Sequence, residues 1–526
     1  MSDIQETDVL VIGSGGAGLR AGIAARANGS EVTIVSKSRS GLKTASIVTN
    51  GWFRVALGGL SKEEHYKATM AGGKELNDPL LVETMVKFGP ERVKELEEYG
   101  VALQIHQGMV SCGENPEARG LGFIQPLVKY AKEMGIEYVE NCLITSLIKI
   151  DDSIVGAVGF TDEPKVFSAK AVVLATGGCG ALYPRTDCPL TLTGDGYALA
   201  YDVGAVLRDM EFIQFVPVGL AEPGQPLFAI YGELVDEGRI LNNQGEDIVE
   251  KYGITERPLT TMSRDLLSRA IMLEILEGRG VDGSLLLDAT GPLKEKGLEN
   301  LVNNSGQRKV LEKIEALEKP FKISPVCHFT MSGVHIDKDT VTSVKGLFAA
   351  GEVTGGVHGA NRIGGNAMTD IIVFGAIAGE SAADYATKTA RTDLSNRVSH
   401  FTDIYKKIQK DGTYNPVIDE LKNLLWQKVG VIRDGDSLQT AITEINLLRD
   451  SNIKNKSENP TTLKRILESS MALQTAELVT IGAQARRESR GTHYRRDHPE
   501  QDQDWLQPIF LQRNLEGTKS NKGHRF

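Results

Sequence analysis

Gly13, Gly15 and Gly18 stand at the spacing G-x-G-x-x-G inside the segment GSGGAG. In such a triplet the first glycine permits a tight turn. The second lets the backbone approach a pyrophosphate, and the third lets a helix pack closely on a strand. A following helix would turn free N–H groups and a partial positive charge toward the phosphates. Glycine-rich turns also occur without ligands, so the setting of the triplet matters. It is preceded by the apolar run DVLVIG and followed by LRAGIAARANG, with alanines and a leucine at helical spacing, and by the β-branched EVTIVSKS. That reads as strand, helix, strand, the unit that binds dinucleotides. Where an acid usually holds the adenosine ribose, the chain has Ser36 and Lys37. Their presence weakens the case for NAD and leaves FAD, whose ribose can be held elsewhere.

Other chemistry is excluded by what is missing. The five cysteines, Cys112, Cys142, Cys179, Cys188 and Cys327, form no C-x-x-C pair. Neither an iron–sulfur cluster nor a zinc site is therefore expected, and no metal is assigned. An odd, unpatterned cysteine count fits a reducing cytosol. No secretory signal precedes Asp8–Ile12, and no apolar run approaches the roughly 20 residues of a membrane span. The expectation is a cytoplasmic protein, with docking to a membrane complex left open. There are 59 Lys+Arg against 69 Asp+Glu, a net charge of −10, which argues against broad nucleic-acid binding. The 526 residues are 41% hydrophobic and 24% charged, the composition of a globular chain of about three domains.

Several elements must position the glycine-rich unit. Residues Glu137–Ser168 alternate short β-like runs with turns, as a meander does. AKAVVLATGGCG gives a buried strand ending in a turn at Ala175–Gly178. Residues 221–340 mix strands, helices and polar loops, which suggests an insertion. GLFAAGE, Gly346–Glu352, is strand-like and ends in an acid. AMTDIIVFGAIAGESAADYA reads as a helix after a glycine-rich loop. From about Thr392 the chain turns to polar helical sequence, and Ser451–Pro460 looks like a solvated connection.

Taken in order, GSGGAG, ATGG at 175–178, TGDG at Thr193–Gly196, GLFAAGE and HGANRIGGNA at His358–Ala367 resemble the flavoprotein subunits of fumarate reductase and succinate dehydrogenase, and L-aspartate oxidase. The resemblance covers almost the whole chain, including RRESRGTHYRRDHPE, similar to the family's ESRGAHxRxDxP. It implies an α/β fold: a Rossmann-like FAD-binding domain (residues 1–225 and 341–392), an inserted α+β capping domain (226–340), and a C-terminal helical domain and tail (393–526). It implies FAD lined by Gly13, Ser14, Gly15, Ala17 and Gly18 at the pyrophosphate, with Ser36 and Lys37 near the adenosine. Ala175, Thr176 and Gly177 would also line it. Asp195 would lie near the isoalloxazine–ribityl end, Glu352 on the ribityl hydroxyls, and Ala367 and Met368 at a helix start aimed at the flavin. Respiratory relatives attach FAD through a histidine in an RSHT segment. Aligned on VALG, that position is Ala45, so the FAD is expected to be noncovalent.

The resemblance also carries over catalytic groups one at a time. SRDLLSRAI is similar to GRDVVSRAI and puts Arg264 at the proton-donating arginine. SPVCHFTMSGV is similar to PTxHYxMGG and puts His328 at a histidine that binds a substrate carboxylate. HGANRIGG puts Arg362 at the arginine gripping the same carboxylate, where a guanidinium fork gives bidentate contact. The second carboxylate's partners are absent: QFHPTG is here QFVPVG, with Val216 for the histidine and Val218 for the threonine. In IYGELVDEGR, where TEGxRGEGG is expected, Ile230, Tyr231 and Leu234 stand for the threonine, glutamate and arginine. A gap would shift Glu233, Asp236 or Arg239 into the relay. A second carboxylate buried against Val216, Val218 and Ile230 would be unpaired, at a cost of about 3–5 kcal/mol.

The expected activity is hydride transfer at the α–β bond of a carboxylic acid other than fumarate or succinate. An iron–sulfur protein would be the electron partner. The alternatives are an electron-transfer subunit with a decayed site and a relative of adenylylsulfate reductase.

Overall fold

A computed structural model of the chain describes residues 4–398, 414–457 and 459–513. The sequence Ile4–Ile12 forms the central strand of a seven-stranded sheet. Val9, Leu10 and Val11 are fully buried, as befits a strand flanked on both sides by parallel neighbours. Val9 pairs with Val32 on one side and Ala171 on the other, both in parallel register. The strand Pro164–Leu174 is shared. Its first half pairs antiparallel with Ser153–Phe160, and its last residues pair parallel with Leu347–Ala349. Leu143–Ile150, Ser153–Phe160 and Pro164–Leu174 form the expected meander, whereas Glu137–Val139 joins the far edge beside Val32–Val35.

The helix Gly16–Ala27 packs against the long helix Asn366–Thr387. Small residues make this crossing close: a Cβ on Gly379 would lie 2.1 Å from the carbonyl oxygen of Ala21. The two helices therefore share one seam under the sheet, and both begin at the same cavity.

A second sheet orders the strands Ile213–Leu220, Phe321–Thr330, Leu285–Asp288 and Arg239–Leu241, all antiparallel. It carries the inserted region, with its own core around Leu234, Leu267, Leu287 and Ile323. The strand Ile213–Leu220 belongs to this sheet, so the insertion's architecture begins before residue 226. A small third sheet joins Leu207–Arg208 to Phe510–Leu511, which ties the C-terminal segment to the body.

The C-terminal part consists of the helices Ile418–Lys428, Gly435–Lys454 and Pro460–Ala485. The expected solvated connection at Ser451–Pro460 is corrected by the structure. Ser451–Lys454 complete a helix, and Asn452, Asn455 and Ser457 are buried. The amide of Asn455 exchanges hydrogen bonds of 2.8 and 2.9 Å with the backbone of Asn415, so polar sequence here is packed. Residue 458 and the tail beyond 513 lie outside the described residues. No described helix is long and apolar enough to cross a membrane.

The segment after the last helix is held by buried charge. Arg486, fully buried, donates to Glu211 and lies 3.2 Å from both Asp209 and Glu488. Arg490 meets Glu488 at 2.8 Å, and Arg433 donates to the carbonyl of Glu211 at 2.7 Å. Removing one member of such a network leaves the others buried and unpaired. Arg486→Met is expected to lower unfolding free energy by about 3–5 kcal/mol in urea titrations; an unchanged midpoint would show that the network adds no net stability.

Candidate active site

One elongated cavity of about 1300 Å³ runs between the large sheet and the inserted region. At one end the helix Gly16–Ala27 opens onto it with no capping side chain from its own N-cap residue, Gly15. Ser46 Oγ accepts the Gly16 N–H at 3.0 Å. The turn must be glycine at two places. A Cβ on Gly13, whose φ is +118°, would lie 2.1 Å from the Ala175 oxygen. One on Gly18 would lie 2.0 Å from the Gly13 oxygen. Gly18 thus packs helix on turn, while Gly13, Ser14, Gly15 and Ala17 line the cavity. Over Gly15 the nearest atom to a built Cβ is Ser46 Oγ at 3.6 Å, so the backbone is open there. This cradle fits the pyrophosphate of a dinucleotide.

Ser36 and Lys37 line the same end. Ser36 Oγ accepts from Ser14 at 2.9 Å. Lys37 Nζ reaches Asp195 at 2.6 Å, Glu468 at 2.7 Å and Thr193 at 2.8 Å. Burial alone would depress the Lys37 ammonium, but Asp195 and Glu468 outweigh it and hold its pKa above the ordinary value. Asp195 therefore stands with Lys37 at this end of the cavity. Ala175 and Thr176 line the cavity beside the Gly13 turn and Ala45 beside Ser46; Gly177, Ala367 and Met368 line it as well. Glu352 is buried and accepts the Thr330 N–H at 3.0 Å. Burial pushes its carboxyl up to about 7.

Arg264, His328 and Arg362 line the same cavity from three different elements. Arg264 opens the helix Arg264–Leu276 and donates from Nε to the Thr260 carbonyl at 3.1 Å. Burial lowers its pKa, against the charges of Tyr231 and Asp187. His328 Nδ1 faces Asp187, 2.9 Å from Oδ2 and 3.1 Å from Oδ1, which leaves Nε2 as the nitrogen able to meet a ligand. Arg362 stacks over Phe329, 4.7 Å from the ring centre. Its Nη2 donates to Gln214 Oε1 at 3.0 Å, and Gln214 Nε2 returns a 2.9 Å bond to the Arg362 carbonyl. Arg362 Nε is buried with no partner. Burial, with Arg264 nearby, lowers its pKa to about 10, so it stays a cation at neutral pH.

Some assignments fail on geometry. Val216 and Val218 are fully buried and do not line the cavity. Val216 pairs with Val326, and Val218 packs in the inserted region's core. Ile230 does line the cavity, next to Tyr231. The rebuilt relay is also absent. Glu233 pairs with Lys296 at 2.9 Å, Asp236 accepts the Leu259 N–H at 2.6 Å, and Arg239 meets Asp247 at 3.6 Å. The sequence gives no role to three groups that the structure brings here: Asp187, Gln214 and the phenol of Tyr231. Burial pushes the Tyr231 phenol up to about 12, against the pull of Arg264. Gln214 lies in QFVPVG, a segment whose pattern draws attention only to its valines.

The described residues contain no group of three or more His, Cys, Asp or Glu side chains able to hold a metal ion. A family model described as "FAD binding domain" matches residues 8–368, and one described as "Fumarate reductase flavoprotein C-term" matches residues 418–521. The chain is 36% identical to a subunit of "Fumarate reductase (CoM/CoB)" from Methanothermobacter marburgensis over 544 residues, covering 98% of each. It is 31% identical to the "8-methylmenaquinol:fumarate reductase flavoprotein subunit" of Wolinella succinogenes, across 95% of this chain and 87% of that one. Among solved structures, Mycobacterium smegmatis Sdh1 superposes with a TM-score of 0.86 at 30% identity, across 99% of this chain and 93% of that one.

Glu352 offers a test of the cavity's electrostatics. Its folded-state value, about 7, is above the ordinary 4.5. The stability it contributes is therefore complete below the unfolded value and is lost as pH rises through the folded one. Glu352→Gln cannot ionise. It is expected to flatten the apoprotein's stability between those two values, read from thermal melts across that range.

Proposed function

Because the chain belongs to the flavoprotein family of fumarate reductase and succinate dehydrogenase, and so is an FAD-dependent oxidoreductase, we propose that it acts on the α–β carbon bond of an acid whose reacting-end carboxylate is held by Arg362 and His328. The observation that carries this reading is Arg362. It is buried, stacked and oriented, yet Nε lacks a partner and no carboxylate neutralises it within ion-pair distance among the described residues. A desolvated guanidinium in that condition suits an anionic ligand, and its planar fork suits a carboxylate.

When bound, FAD would supply the hydride donor or acceptor. The cradle of Gly13, Ser14, Gly15 and Ala17 would hold its pyrophosphate. The start of the helix Asn366–Thr387, with Ala367 and Met368, would offer its N-terminal dipole to negative charge on the cofactor. Ala45 lines the cavity with no nucleophile, which supports noncovalent attachment. The histidine among the described lining residues is His328, and Asp187 holds it on the substrate side.

The residues divide the remaining work. Arg362 and the Nε2 of His328 bind and polarise the carboxylate. Gln214 fixes Arg362 through one hydrogen bond to its fork and one to its carbonyl, and Asp187 fixes the ring of His328. Arg264 and Tyr231 are the proton-bearing groups beside them, Arg264 buried and Tyr231 half-buried. Ile230 presents an apolar wall, while Val216 and Val218 lie outside the cavity. The apolar face of Ile230 beside the grip suits a 2-enoate or aryl-acrylate. With no C-x-x-C pair in the sequence and relatives named as subunits, we place the electron partner on a separate iron–sulfur protein.

A substrate panel followed by flavin bleaching and reoxidation tests the reading. Monocarboxylic enoates are expected to turn over; rapid turnover of fumarate with no response to any enoate would sink it. Arg362→Gln is expected to lower kcat/KM by about two to three powers of ten while FAD still binds. Gln214→Leu, which removes one of the groups orienting Arg362, is expected to lower it by about tenfold to hundredfold.

A further inference from the structure

Arg264 reaches a second opening besides the main cavity. It is a small space of about 10 Å³ between the helix Arg264–Leu276 and the C-terminal segment. Phe215, Asp265, Ser268, Arg269, Thr492 and Tyr494 border it together with Arg264. None of those six borders the main cavity, so Arg264 stands between the two. Its Nε is taken by the Thr260 carbonyl at 3.1 Å. Among the described residues nothing accepts a hydrogen bond from its two Nη groups.

A space of that size holds about one water, and a buried water needs two or more polar partners. Arg264, Asp265, Ser268 and Thr492 supply them, and the small volume brings them within reach of the same molecule. The space is not sealed. The Asp265 side chain is 19% exposed and that of Arg269 23%. These two are loosely paired, at 3.9 Å, and Arg269 stacks instead on Tyr494, 4.3 Å from the ring centre. A carboxylate on the rim, outside a tight ion pair, is free to exchange protons with solvent. No such group serves Arg264 from the other side. Asp187 and Tyr231 both line the main cavity, where the substrate sits, and Asp187 faces His328. Glu233, Asp236 and Arg239 are bound elsewhere.

We propose that Arg264 regains its proton through this second space, with Asp265 as the carboxyl that draws the proton from solvent. This rests on the reading above, in which Arg264 bears the proton for the α–β bond. When that bond is reduced, one carbon takes a hydride from the flavin and the other takes a proton. As Arg264 gives the proton, a C–H bond forms and an N–H bond breaks, and the electron pair stays on nitrogen in a neutral guanidine. A proton must return before the next turnover. With an acid bound in the main cavity, the second space still meets water through Asp265 and Arg269. The guanidinium carries N–H groups on both Nη atoms, so a proton lost toward the substrate is replaced on the far side. Asp265 does not line the reacting cavity and acts only through Arg264.

An arginine is protonated at the outset, so the test compares the first turnover with later ones. Full-length, FAD-loaded Asp265→Asn is reduced and mixed with crotonate, and flavin reoxidation is followed as a single turnover. The same protein is then run in steady state on crotonate, with a reduced viologen as electron donor. The single-turnover rate is expected to stay within about twofold of the unsubstituted protein, while the steady-state rate falls by about tenfold to hundredfold. The steady-state solvent isotope effect in D2O is expected to rise with that loss. An equal loss in both assays would overturn the proposal, since Asp265 would then only hold the helix start. Unchanged steady-state turnover would overturn it too, and so would a loss without a larger solvent isotope effect. Failure of the underlying reading looks different, and the proposal falls with it: reduced flavin in the unsubstituted protein would not be reoxidised by crotonate or cinnamate, or Arg264→Gln would leave the first turnover unchanged.

Discussion

A buried excess of positive charge governs this structure. Arg264 and Arg362 enter one cavity, each largely removed from water. Taking a cation out of water is costly unless an anion comes with it. The cavity's own acids are committed elsewhere: Asp187 faces His328, and Asp195 faces Lys37. Glu352 is pushed toward neutrality by burial. Negative charge for Arg264 and Arg362 is thus left to a ligand, which is what the proposed carboxylate grip answers.

The fold exists to hold those cations still. Arg362 sits on a loop that would be free to move if it had only its own backbone. Gln214 from the inserted region's first strand grips its side chain and carbonyl together. From the other side, Thr492 N–H donates to the Ala360 carbonyl at 3.0 Å, so the C-terminal segment braces the same loop. That segment is in turn fixed by Arg486, Glu211 and Glu488. A buried charge network thereby bears on the position of the loop that carries Arg362.

Local signals are the legible ones. The glycine triplet and its flanking strands can be read because a turn's backbone requirement falls on the residues of that turn. Arg264, His328 and Arg362 stand out through their motifs, and the structure brings them to one cavity. Val216 and Val218 cannot be oriented from sequence, because the strand Ile213–Leu220 is buried on both faces and shifts register between Val216 and Gly219. Alternation then gives no clue to which side meets a ligand. Asp187 is illegible for another reason: its partner His328 is 141 residues away, and no pattern near Asp187 announces the pairing. Ser451–Pro460 misleads because buried asparagines satisfied by backbone look like exposed ones in sequence.

Whether Arg362 and His328 together receive the reacting-end carboxylate is tested most directly by a crystal structure of the FAD-loaded protein soaked with crotonate. The crotonate carboxylate is expected to bridge the Arg362 guanidinium and His328 Nε2, with Asp187 still on Nδ1. A carboxylate bound elsewhere in the cavity, with Arg362 left unpaired, would contradict this assignment.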